Sequence, residues 1–566
     1  MNGGETDMSK LLKKIISFVI VALSVLTATG CGGNAETSWY VDQSDGNFNK
    51  SLFYRNESYD RGADPSTIWV SEEENAKDGG YFYSYVTATS TINAFRSKNL
   101  TDWQDLGGVF RPNLNESWAY MNYWAPSVRY DEEEQKYFMF YNATWKDKGK
   151  NRFYLSLAVS DSPMGPFVEY TDENKGVGEP LIDFAKIAES SPYFEQYKRG
   201  YEYESGYMSV IDPEQFVDPV SGKKYLLFVH DKGAAYTTSE IYIMEMKDWY
   251  TPLYETITKL TENGRTTVGG LTESDDGTVN EGPFMYYRNG TYYLTFSVNV
   301  YNEASYQVRQ AVSDSPTGPF RKIAYEDGGA IITTDGLAIY TRSSGHASIL
   351  DIGGEPYISY HTFFNDEDIG NGRKIRIDKL EFITNKEGIE IMSANGPTVT
   401  PQYLPEKISG YKNVARKAYV TATGGENGSS TYYINDGTVK MHTFSETEEF
   451  LMNKNGSVNL SFDDYVTARA IIVYNSRAYK NAFSSAKIEI EYQGKDGKSV
   501  KCSTDNLKFN FSLYASVDYK LICAGASVVA EFNEMKIKNV KVTFSSDNDV
   551  IGVPEIVILG KEGKAQ

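Results

Sequence analysis

Cysteine and histidine are scarce, with three Cys and four His in 566 residues, so a zinc or redox centre has few ligands to draw on. Positive charge is also short. Fifty-six Lys and Arg face 76 Asp and Glu, a net charge of −20, and a field of that sign repels phosphate backbones, which excludes nucleic acid as an expected partner. After the first 30 residues no stretch approaches the ~18 uninterrupted apolar residues of a membrane-spanning helix. What is plentiful is tyrosine and glycine: 44 Tyr against 28 Phe and 7 Trp, with 48 Gly. That balance suits turn-rich all-β structure whose surfaces stack flat ligands. At roughly 100–200 residues per domain, the length fits two or three domains.

The first 31 residues read as a targeting segment. Lys13 and Lys14 precede an apolar run over residues 15–28, followed by Gly30 and Cys31, a basic head and a hydrophobic stretch too short to span as a mature helix. The pattern resembles a bacterial lipoprotein signal, although Ala28 stands where that pattern prefers Leu. The resemblance implies an exported lipoprotein, in the periplasm or at the cell surface, held to a membrane by a lipid on Cys31; plain secretion is the alternative. Residues 32–54 read as a linker. Cys502 and Cys523 are either a disulfide or two buried thiols.

Between residues 60 and 365 a short motif recurs five times at intervals of 61 to 87 residues: Ala63-Asp64-Pro65-Ser66, Trp124-Ala125-Pro126-Ser127, Ile211-Asp212-Pro213-Glu214, Glu281-Gly282-Pro283-Phe284 and Gly345-His346-Ala347-Ser348. Each copy opens an alternating segment, a charged or glycine turn and a Tyr/Phe-rich segment. Such repeats predict a five-bladed β-propeller with loop insertions over residues 55–396. A longer identity supports it: residues 158–163 repeat at 311–316, and Gly165-Pro166-Phe167 repeats as Gly318-Pro319-Phe320. These twins are predicted at equivalent outer turns of two blades.

In a propeller the residues that open the innermost strands share one axial pocket. With Asp64, Ala125, Asp212, Glu281 and His346 as the five openers, three carboxylates and a histidine converge from distant parts of the chain. Like charges in a partly desolvated cleft push pKa values apart, which supplies an acid and a base at one pH. Asp218, Asp231, Asp275 and Asp276 lie near strand ends but at no opening position, and read as solvated loop acids.

At these residues the chain resembles glycoside hydrolase family 43. The likeness rests on the five motifs, with Asn280 before Glu281, and on Gly372-Arg373. It implies a five-bladed propeller that hydrolyses glycosidic bonds with inversion, using Asp64 as general base, Glu281 as general acid, and Asp212 to orient substrate and hold up the pKa of the acid. It places Arg373 beside the base, with Arg376 as a weaker candidate, and Trp124 as a sugar-contacting wall. Tyr123 and Tyr207 are further candidates for that wall, with core packing the alternative for all three. It also implies that His346 contributes to the site, as in relatives where the axial histidine helps hold a central calcium ion or a water cluster; no other cofactor is expected. An exo-acting α-L-arabinofuranosidase working on plant-type polysaccharide side chains is the leading reading. β-Xylosidase, galactofuranosidase or galactosidase activity, or a non-catalytic glycan-binding lipoprotein, are the alternatives. The Tyr-, Glu- and Phe-rich loop between Tyr170 and Ser209 is expected to shape the rim.

Pro397, Pro401 and Pro405 punctuate a linker over residues 397–410. Residues 411–566 then read as a β-sandwich similar to the discoidin-like, galactose-binding jelly rolls that include carbohydrate-binding module family 32. The likeness implies a glycan tether, with Tyr432, Tyr433 and the loop at 475–481 as candidate contacts.

Overall fold

Tyr- and β-branched-rich segments separated by Gly, Asn and Asp turns form strands through nearly the whole chain. The computed structural model describes residues 38–561, apart from 45–47, 57–61, 147–151, 172–178, 183, 195–208, 232–238, 262–278, 304, 333–341, 364–371, 395, 399, 440–447, 477 and 510–525. Five antiparallel meanders follow one another. The first blade is Ser66–Val70, Tyr81–Val86, Ile92–Ser97 and Gln104–Phe110. The second is Ala119–Asp131, Lys136–Trp145, Phe153–Ser160 and Val168–Glu169. The third opens with Ser209–Val217, Lys224–Asp231 and Ser239–Asp248, the fourth with Asn280–Arg288, Thr291–Val298 and Gln307–Ser313. The fifth is Arg342–Asp351, Pro356–Phe363, Lys374–Thr384 and Glu390–Ala394.

The inner strands neighbour one another in order, and the fifth returns to the first. Side-chain hydroxyls seal that seam: the Thr67 N–H donates to Ser348 Oγ (3.1 Å), and Ser348 Oγ donates to the Pro65 carbonyl (2.9 Å). Apolar cores fill the gaps between blades, with Tyr85, Phe110, Tyr123 and Tyr141 between the first and second, Leu227 and Leu294 between the third and fourth, and Phe82 with Ile375 across the closing seam. The all-β five-bladed propeller expected from the repeats is the observed architecture. The twin segments are the turns that follow the third strands of the second and fourth blades, where Ser160 and Ser313 accept the N–H groups of Ser162 and Ser315, each at 3.1 Å.

The C-terminal strands form a sandwich-like assembly around two long members, Phe450–Tyr474 and Ser527–Ser545. Register shifts between Ser461 and Val466 and between Ala468 and Ala470 let one strand bend and serve both layers. Val458, Leu460, Ile471, Ile488, Val540 and Ile558 fill its core.

The two segments read as linkers carry strands. Tyr40–Asp42 pairs with Ser527–Ser545, and Phe53–Tyr54 pairs with Gln402–Tyr403. Phe48, Leu52, Phe53 and Tyr403 bury against Ile472, Tyr474, Val529 and Val557, so apolar side chains among the prolines and polar residues were the signal for docking. Cys31, its apolar run and Cys523 lie outside the described residues, as do Tyr207, Asp275, Asp276 and most of the 170–209 loop. Among the described residues no helix is long and apolar enough to cross a membrane.

Candidate active site

Each inner strand enters through the same backbone irregularity. Asp64, Ala125, Asp212, Gly282 and His346 all have positive φ, between 44° and 54°, and the ladders shift register at these points in the second to fifth blades. A left-handed residue inside a strand is costly unless its surroundings fix it, and a bulge re-aims the side chain. The shared position corrects one register: the fourth opener is Gly282, and Glu281 precedes it, in line with Ala63, Trp124, Ile211 and Gly345. Only glycine fits there. A Cβ on Gly282 would lie 2.9 Å from His346 Cγ.

Polar groups in the second half of the second strands, or just after them, staple the openers in place. The Ala125 N–H donates to Thr87 Oγ1 (2.9 Å), Asp212 N–H to Asn142 Oδ1 (3.2 Å), His346 N–H to Ser297 Oγ (2.7 Å) and Asp64 N–H to His361 Nδ1 (3.2 Å). The Gly282 N–H donates instead to Asp212 Oδ2 at 2.9 Å. Thr87, Asn142, Ser297 and His361 had not been singled out. Their signal was a polar residue in the second half of, or just after, the Tyr/Phe-rich second strand of four blades.

The staples bring the acids together around His346, whose Nδ1 lies 3.4 Å from Asp64 Oδ1 and 3.8 Å from Asp212 Oδ2. Asp64 Oδ1 also accepts from Arg373 Nη1 (2.7 Å), and its Oδ2 from Thr87 Oγ1 (2.6 Å). The Gly62 N–H donates to the Arg373 carbonyl (2.9 Å), which ties the two segments. Burial alone would raise the Asp64 pKa, yet the charges of Arg373 and His346 outweigh it and hold the carboxyl well below the usual range. Asp212 moves the other way, raised by burial against the pull of His346. Glu281 is partly buried; desolvation first, and the Asp212 charge second, push it up to about 8. His361 is fully buried and is lowered to about 3, chiefly by burial. Because its Nδ1 accepts the Asp64 N–H, the neutral ring carries its proton on Nε2.

Other expectations sort differently. Trp124 is partly buried and stacks on Phe153 (centroids 4.5 Å apart, 26° between planes), whereas Tyr123 is core, with no exposed surface. Arg376 is buried and donates to the Ile375 carbonyl, leaving Arg373 alone beside the base position. Asp218 is a buried turn acid that accepts from Tyr292 Oη (2.8 Å). Asp231 is no distant loop acid: it ends the second strand of the third blade, and its charge raises both Asp212 and Glu281. Among the described residues no group of three or more His, Cys, Asp or Glu is arranged to hold a metal. His346 points its Nδ1 at two carboxylates, one already engaged by Arg373, and this donor set does not meet the six to eight oxygens calcium prefers.

The family model for glycosyl hydrolases family 43 matches residues 63–194 and 191–386, more than half of the chain. The chain belongs to glycosyl hydrolases family 43. This family 43 glycoside hydrolase is 25% identical over 342 residues to a β-D-galactofuranosidase of Aspergillus niger, covering 58% of this chain and 83% of that protein. It is 24% identical over 431 residues to an arabinoxylan arabinofuranohydrolase of Bacillus subtilis, covering 69% and 73%. Among solved structures it is similar to a thermostable family-43 glycoside hydrolase, with 26% identity, 62% of this chain and 98% of that one covered, and a TM-score of 0.47.

Proposed function

We propose that the enzyme is an exo-acting, inverting α-L-arabinofuranosidase that removes terminal furanose side chains from plant-type polysaccharides or oligosaccharides. The observation that carries the catalytic reading is the meeting of distant acids at one hub, where Asp64 pairs with Arg373 at 2.7 Å and Asp212 accepts the N–H of Gly282, the residue after Glu281; the Asp64 carboxyl is lowered there and the Glu281 carboxyl raised. An inverting glycosidase uses that division: an ionised base on one side of the bond and a protonated acid on the other. Asp64 takes a proton from water, the water oxygen bonds to the anomeric carbon, the glycosidic C–O bond breaks, and Glu281 gives its proton to the departing oxygen. Asp212, hydrogen-bonded to the Gly282 N–H, supplies the negative charge that keeps Glu281 protonated. Arg373 keeps Asp64 ionised and borders the substrate together with His346 and Trp124. The furanose preference is supported by two relatives whose names both concern furanosides.

The C-terminal assembly is proposed as a discoidin-like carbohydrate-binding module, supported by exposed Tyr419 and Tyr432; tethering would raise the local substrate concentration. The chain is proposed to be exported and lipid-anchored through Cys31, supported by the basic and apolar residues before it.

Hydrolysis of an aryl α-L-arabinofuranoside by the purified protein, with the anomeric configuration of the arabinose first released followed by NMR, tests the assignment. Glu281→Gln is expected to lower turnover by about 10²–10⁴-fold. Equal turnover by that variant, or retained configuration, would sink the reading. Faster cleavage of an aryl β-xyloside or β-galactofuranoside would change the sugar and leave the two-carboxyl mechanism intact.

A further inference from the structure

One buried aromatic reaches the acid from a part of the chain that no sequence motif marked. Tyr306 lies in the turn between the second and third strands of the fourth blade and is 1% exposed. Its Oη donates to Glu281 Oε1 at 2.8 Å. One face of its ring lies parallel to the His361 imidazole, with centroids 5.8 Å apart and 12° between planes. The ring also packs on the backbone of Gly345, where a Cβ would come within 2.0 Å of Tyr306 Cε1. That contact accounts for glycine at the start of the fifth motif. His361 holds the Asp64 backbone, so a single stack runs from beneath the base to the oxygen of the acid.

We infer that Tyr306 is the positioning residue for proton donation by Glu281: its phenol occupies Oε1 and directs the transferable proton to Oε2. The inference rests on the reading of Glu281 as the general acid. A neutral carboxyl has one proton, and a phenol that donates to Oε1 leaves Oε2 to carry it. As that proton passes to the departing oxygen, the Tyr306 bond becomes charge-assisted, shorter and stronger. A donor already in place where negative charge develops lowers the barrier without reorganisation. The charged or titratable groups around Glu281 are Asp212, Asp64 and Asp231, all of which oppose its ionisation, and Tyr306, which favours it; His346 lies against the next residue, Gly282, His361 against the Tyr306 ring, and Arg373 against Asp64.

Tyr306→Phe keeps the ring on His361 and Gly345 and deletes the donor. Two substrates separate positioning from packing: 4-nitrophenyl α-L-arabinofuranoside, whose leaving group needs little protonation, and phenyl α-L-arabinofuranoside, which needs more. The kcat ratio for the two, measured in one preparation, does not depend on how much of the protein is folded. Tyr306→Phe is expected to lower kcat on the phenyl substrate by roughly 10–100-fold with a much smaller loss on the nitrophenyl one, and to move the alkaline limb of kcat/KM to higher pH. Gly345→Ala, which displaces the ring, is expected to change the ratio in the same direction. An unchanged ratio and an unmoved alkaline limb in Tyr306→Phe, alongside a Glu281→Gln variant that has lost phenyl hydrolysis, would overturn the inference while the acid assignment stood. Wild-type turnover of the phenyl substrate by Glu281→Gln would remove the assignment itself.

Discussion

Two regions of this protein bury carboxylates, and they use them differently. At the junction between propeller and sandwich, Glu381 accepts the Val439 N–H (2.7 Å), while Glu555 accepts the Gly437 N–H and Asn413 Nδ2, each at 3.2 Å. Burial, then the charges of Asp436 and Glu381, push Glu555 well above the usual range. At the hub Asp64 is also buried, but Arg373 and His346 reverse the effect. A raised carboxyl is therefore no mark of an active site, since packing alone produces one. What separates the hub is an acid pushed up and another pushed down within one set of contacts, on residues at or next to a left-handed backbone position. Glu381 binds a sandwich backbone N–H from the propeller side and so acts as a fastener, while Glu555 ties two segments of the sandwich that face it.

The largest expected effect tests that contrast directly. Asp64→Asn and Glu281→Gln should each lose about 10²–10⁴-fold in kcat, whereas Glu555→Gln should leave kcat on an aryl glycoside near wild type. A comparable loss in all three would erase the distinction. The wild-type profile of kcat/KM should be bell-shaped, with its alkaline limb set by Glu281 near pH 8 and its acid limb below the ordinary aspartate range. Arg373→Met sharpens the comparison by making Asp64 more like a junction acid. Removing the positive charge at 2.7 Å raises the pKa of the base, so the acid limb should move up by about 1–3 pH units, with the alkaline limb moving less. An acid limb that stays in place would show that Arg373 does not set the ionisation of Asp64.

Much of the hub was legible because the propeller repeats it. Asp64, Asp212 and His346 occupy one position in three blades, and the Pro or Ala after each fixes the register. Glu281 was named there too, but one residue out of register, because the fourth blade puts glycine at the left-handed position and its acid just before it. Counting from the proline would have found this, since Pro65, Pro126, Pro213 and Pro283 align. Tyr306 and His361 were not legible in the same way. They reach the site through a ring stack and a backbone hydrogen bond between blades, and nothing near them in sequence records which blade is the neighbour. Asp231 was misread for the opposite reason, as an acid beside a loop whose strand end faces the hub. In the tail, alternation revealed strands, but docking through Phe48, Leu52 and Phe53 was hidden in a segment whose composition reads as a connector.

A smaller effect follows from the geometry at Gly282. Alanine there must adopt φ near 54°, which costs about 1–2 kcal/mol, and its Cβ presses on His346. Gly282→Ala should lower the unfolding free energy by that amount and reduce kcat as well, because His346 holds Asp64 and Asp212 in register. Gly437, at the junction, also has positive φ, and a Cβ there would meet Arg416 side-chain atoms at 3.0 Å and beyond. Gly437→Ala should therefore cost stability with kcat preserved. Equal losses of kcat in the two variants would mean that the junction communicates with the hub.

The smallest expected change isolates the fastener role. Tyr474, from the sandwich, donates through Oη to Gln402 Oε1 (2.8 Å) beside the strand pair that joins the two domains. Tyr474→Phe keeps the buried ring and deletes one hydrogen bond, which should cost about 1 kcal/mol in denaturant unfolding. The pH profile of activity should not move, because no hub carboxyl has Tyr474 among the groups that shift it. Hub and junction then differ in kind: one converts burial into chemistry and the other into cohesion. A shifted alkaline limb in Tyr474→Phe would show instead that the packing of the sandwich reaches Glu281 through the fifth blade.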